Sequence, residues 1–149
     1  MSAEANLSAQ IGGLFSFLAF IHFAVDWIIQ SHAEAMVKHK HDGIRAKHCL
    51  IYTAPFVPIL VWWGFDVVMV SGLSGVLFLS HYVEDTYKPV IFWMKHIRRH
   101  PAFMPGKDDS EAFLEAISAD GGLGKILMIA VDQIIHLAFL FLIAVLAAT

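Results

Sequence analysis

Cysteine is almost missing from this chain, and the one thiol, Cys49, excludes an intramolecular disulfide and any zinc site built on clustered thiolates. Metal binding would have to rest on nitrogen and oxygen. Charge is sparse as well. Only 15% of the 149 residues are Asp, Glu, Lys or Arg while 58% are apolar, and mean hydropathy is +0.65, which sets the chain apart from ordinary soluble domains. No separate basic domain exists, so nucleic acid is not an expected partner. Basic residues are absent from the amino terminus, from Ser71 and Gly72, and from the carboxyl terminus.

What remains is a set of long apolar runs. The fold class they imply is all-α: an integral membrane four-helix bundle, one domain over residues 1–149, with spans near 11–30, 47–70, 73–88 and 124–148. The third is short for a hydrocarbon core of about 30 Å. A helical insertion, interfacial or cytoplasmic, is expected over 89–123. There Val90 to Arg99 mixes aromatic and basic residues, and Asp108, Asp109 and Ser110 can cap a short helix before Gly121 and Gly122. It would serve as a lid or as an anchor. Pro55 and Pro58 should kink the second span, Gly64, Gly72 and Gly75 mark a close turn beyond, and Ser71-Gly72 is the expected short connection between spans two and three.

All ten Lys and Arg residues fall in two places, Lys38 to Lys47 after the first span and Lys88 to Lys125 between the third and fourth. The positive-inside rule then puts both basic loops in the cytoplasm and both termini outside, as in a bacterial inner membrane. The first apolar run lacks the basic flank and cleavage pattern of a signal peptide and should stay as a helix. The basic loops suit anionic headgroups, so membrane lipid is the expected partner. Homo-oligomerisation is left open.

Each apolar run carries a histidine, and three pair it with an aspartate four residues away: His22 with Asp26, His81 with Asp85, and His136 with Asp132. The fourth run has His48, with Tyr52 four residues on. Residues four apart share a helix face, so each pair can aim two side chains at one point. Helical bundles build metal sites in this way. An ionisable group in a lipid-spanning segment costs about 2.5–3.5 kcal/mol on insertion scales, which argues for a shared purpose. The depths agree: His22 and Asp26 lie roughly 12 and 6 Å from Gln30, and Asp85 and His81 roughly 4 and 10 Å from Lys88, on the same side.

Seven groups, His22, Asp26, His48, His81, Asp85, Asp132 and His136, are therefore the expected metal ligands. One zinc ion needs fewer, so two divalent ions are expected, with zinc favoured over iron or manganese. Gln30, Tyr52 and Gln133 would support the ligands, while Asp26 or Glu84 would move protons and Lys88 would hold an anionic headgroup. Any single His–Asp pair is better explained by polar contacts between helices; the recurrence at one depth favours metal for the set. Haem would use the histidines but leave three aspartates without a role. Non-enzymatic transport or binding of metal or protons is a further alternative. His32, His39, His41, His96 and His100 fall in or near loops and read as solvated; Cys49 reads as a small packed hydrophobe.

The motifs His22-x3-Asp26-x3-Gln30, His48-x3-Tyr52, His81-x3-Asp85-x2-Lys88 and Asp132-Gln133-x2-His136 resemble those of a family of uncharacterised bacterial and phage membrane proteins, a domain of unknown function. The residue types are more distantly similar to those of inner-membrane metal-dependent hydrolases. That likeness implies a metal-dependent hydrolase acting on an ester or phosphoester, lipid or lipid-linked, from the cytoplasmic side.

Overall fold

A computed structural model describes residues 2–99 and 122–148, apart from the side chains of His32 and Leu123. The expected helix over Glu111 to Ile117, and with it the choice between lid and anchor, lies outside the described residues. Those described form helices and turns, with no strand among them. Helix α1 (Ala3–Phe23) continues through a widened turn with i→i+5 geometry (Ala24–Ile29); α2 (His32–Val37), α3 (Asp42–Thr53), α4 (Phe56–Trp62) and α5 (Val67–Glu84) follow. Helix α6 (Lys88–Phe92) also runs into a wide turn (Trp93–Ile97), and α7 spans Leu123–Ala148.

Among the described residues, four helical stretches are long and apolar enough to cross a membrane: Ala3–Ile29, Asp42–Trp62, Val67–Glu84 and Gly124–Ala148. The second spans α3 and α4, which part at Ala54 where Pro55 removes a backbone donor, the expected kink. The turn before the third does not fall at Ser71 and Gly72. Gly64, at φ +98°, ends α4, and the Asp66 carboxylate caps α5 by accepting from Met69 N at 2.8 Å. Ser71 lies inside α5, its hydroxyl donating to the Val67 carbonyl at 2.7 Å. The third stretch therefore starts earlier than expected and holds 18 residues.

The interior is apolar at one end, with Leu14, Leu18, Phe56, Leu60, Leu77 and Ile143 packed together. Outward faces are largely apolar too, as Phe20, Ile28, Val67 and Val68 show by their exposure. Polar groups concentrate inside the opposite end, where α1 and α5 finish and α3 begins. There α6 and the wide turn after it dock on α7 through Val90 and Met94 against Met128 and Val131.

A buried histidine and carboxylate cluster

At that end a hydrogen-bonded and ion-paired cluster fills the bundle axis. Four ligand-type atoms form a compact cage. Asp26 Oδ1 lies 3.2 Å from His48 Nε2 and 3.8 Å from His81 Nε2, and the two imidazole nitrogens are 3.0 Å apart. Asp85 Oδ2 is 3.5 Å from each of those nitrogens. A tetrahedron with metal–ligand distances of about 2.0–2.2 Å has edges of about 3.3–3.6 Å, so the five distances bracket those of a zinc-sized site. Asp85 Oδ2 is buried without a hydrogen-bond partner among the described residues. The cage residues come from three of the four long helical stretches and the residue just after α5, all with side chains no more than 7% exposed.

Lys38, which sequence reasoning counted only as a loop charge, enters this cluster. Its ammonium donates to Asp85 Oδ1 at 2.8 Å and Asp26 Oδ1 at 3.2 Å, and approaches His48 Nε2 at 3.4 Å. Burial alone would lower its pKa; the Asp85 and Asp26 carboxylates outweigh that and hold it above its ordinary value. Arg45, also buried, donates to the Lys38 and His39 carbonyls at 3.2 Å each and pairs with Asp42, its guanidinium lying 4.4 Å from the Tyr82 ring centre. It fixes the turn that delivers Lys38. The available signal was the break at Gln30 and Ser31: α2, capped by Ser31 on Glu34 N, returns the chain towards Asp26.

Lys88, the expected headgroup binder, is exposed at the start of α6. His22 is buried but is not brought into the cage. Its Nε2–H donates to Gln133 Oε1 at 3.0 Å and its Nδ1 accepts from the Tyr52 hydroxyl at 3.1 Å, so both nitrogens are engaged. The reason is local: Asp26 sits in the widened turn, which changes its direction relative to His22 from that of a regular helix. Tyr52 also stacks face to face on His81, ring centres 3.6 Å apart and 2° from parallel, and so orients a cage ligand.

A second group, His81, Glu84 and His136, lies beside the cage. Glu84 Oε2 is 3.2 Å from His136 Nε2. His136 Nδ1–H donates to the Asp132 carbonyl at 2.9 Å, and the Asp132 carboxylate, 3.8 Å from Nδ1, accepts from Gln133 Nε2. A cleft of about 210 Å³ reaches the cluster from its end of the bundle, lined by Asp26, Trp27, Gln30, Lys38, Asp132 and Gln133 among others. Of the histidines expected to be solvated, His96 is exposed, whereas His39 is half-buried and stacks on Tyr87. Cys49 is fully buried, as expected of a packed hydrophobe.

The architecture and cluster define a class: a protein that is all-helical among the described residues, with four helices there apolar and long enough to cross a membrane, and ligand-type side chains buried among them. The chain belongs to a family described as "Protein of unknown function (DUF3307)", whose model matches residues 14–149. No curated protein matches it, and no solved structure does.

Proposed function

We propose that this chain is an integral membrane protein whose cage, Asp26, His48, His81 and Asp85, binds one divalent cation, zinc by preference, and uses it to hydrolyse an ester or phosphoester. The observation that carries the reading is the cage itself: two imidazoles and two carboxylates at near-tetrahedral spacing, buried where unpaired polar groups are costly. Two imidazole nitrogens 3.0 Å apart share at most one proton, and a metal ion satisfies both lone pairs along with Asp85 Oδ2.

The cleft favours chemistry over a sealed structural site. Asp26 is the cage ligand on the cleft wall, so water would reach a bound ion from that side as a fifth ligand beside the four protein groups. Bound zinc lowers the pKa of its water to about 7 and polarises an incoming carbonyl or phosphoryl oxygen. Asp132, on the same wall and 16% exposed, would move the proton, a role first expected of Asp26 or Glu84; Gln30 and Gln133 would offer amide donors to the substrate. In place of Lys88, Lys38 supplies the cation beside the reacting group. The basic loops support a cleft at the cytoplasmic leaflet, and with it a lipid or lipid-linked substrate. A metal carrier would use the same ligands without turnover.

Elemental analysis of detergent-purified protein, followed by a screen of ester and phosphoester lipids, tests the proposal. Bound metal with turnover that is lost in a His81→Ala variant is the expected result. Metal without turnover on any substrate would favour the carrier, and no metal would return the cluster to plain contacts between helices.

A further inference from the structure

We infer that His81, Glu84 and His136 form a second divalent-cation position, with His81 bridging it to the cage through its two ring nitrogens. This rests on the metal reading of the cage. The first argument is the tautomer of His136. Its Nδ1–H donates to the Asp132 carbonyl at 2.9 Å, so in the neutral ring Nε2 carries a lone pair. That lone pair lies 3.2 Å from Glu84 Oε2, and Nε2 makes no hydrogen bond in this geometry. A lone pair facing a carboxylate inside a buried cluster needs a proton or a metal ion between or beside the two, and a metal ion also gives Glu84 Oε1 a partner. Donation of the far ring nitrogen to a backbone carbonyl is also the arrangement that orients metal-bound histidines.

The second argument concerns His81. Nε2 faces the cage, within 3.0–3.8 Å of His48, Asp85 and Asp26. Its Nδ1 is buried with no hydrogen-bond partner among the described residues, and so is Glu84 Oε1. His81 is the one residue shared by the two ligand groups, and its ring packs edge to face on His136 at 4.8 Å between centres. Tyr52 covers the His81 face, fixing the plane in which both nitrogens point. Serving both positions, His81 binds as imidazolate and its ring proton is released to water on metal uptake. The ions would then stand a ring's width apart, farther than the about 3.5–4 Å of directly paired catalytic metals.

The full-length protein, stripped with chelator in detergent, is titrated with Co²⁺ while its visible spectrum and bound metal are recorded. Wild type should take up two ions per chain. Glu84→Gln and His136→Ala should each take up one and keep the absorption bands of the cage, and His81→Ala should lose both. One ion in wild type, or two in Glu84→Gln, overturns the second position while leaving the cage standing; a proton held between Glu84 and His136 would give the former. No ion in wild type overturns the cage as well. Glu84→Gln is close in shape to the native side chain, so it decides the matter if His136→Ala does not fold.

Discussion

Lys38 Nζ lies 2.8 Å from Asp85 Oδ1, so a residue from the turn after the first long helix neutralises a carboxylate at the end of the third. The same ammonium touches Asp26 Oδ1 and His48 Nε2, two atoms of the proposed metal cage. A divalent ion and an ammonium sharing those atoms repel each other by several kcal/mol even at an effective dielectric of about 20.

Lys38→Met should therefore tighten metal binding by tenfold or more, read by competition with a chelating dye. Lys38→Arg should not. The Asp85 and Asp26 carboxylates hold the Lys38 pKa above its ordinary value in the metal-free cluster, so an ion entering wild type at pH 7 meets a charged ammonium. Equal affinities for wild type and Lys38→Met would show that metal binds elsewhere.

Arg45→Ala should lower thermal stability in detergent by about 2–3 kcal/mol, since it removes charged hydrogen bonds to two carbonyls of one turn. Arg45→Lys should rescue little of it. An ammonium lacks the planar fork that reaches both carbonyls while lying over Tyr82.

Tyr52 separates stacking from hydrogen bonding. Tyr52→Phe keeps the ring on His81 and loses only the bond to His22, so metal content should hold while stability drops by about 1 kcal/mol. Tyr52→Ala removes the surface that orients His81 and should cost about 10–100-fold in metal affinity. Calorimetry with the two variants side by side gives both numbers.

His22 and His81 should differ although both are buried. His22→Ala breaks bonds to Tyr52 and Gln133 and should lower stability while leaving metal bound, because neither of its nitrogens is available to an ion. His81→Ala should abolish metal binding. His96→Ala, at an exposed position, should change neither. Loss of metal in the His22 variant, with its fold intact by circular dichroism, would place His22 in the coordination sphere.

The helical class, the four long apolar stretches and the end of the bundle that carries the polar cluster were legible in the residues themselves, because hydropathy and helix rise are local, periodic properties. So were His48, His81 and Asp85 as neighbours of Asp26, since rows of groups at matching depth have one place to meet. The boundary between the second and third helices was misplaced because Gly64 and Asp66 stop and restart the chain more firmly than Ser71-Gly72, which a helix absorbs. Tertiary structure alone decided that Lys38 and not Lys88 reaches the carboxylates, because the path of a turn is set by what it packs against, here Arg45 and the carbonyls it holds. It also decided that His22 serves Tyr52 and Gln133, for a widened turn beside it redirects Asp26, and no spacing of letters records a change in helical pitch.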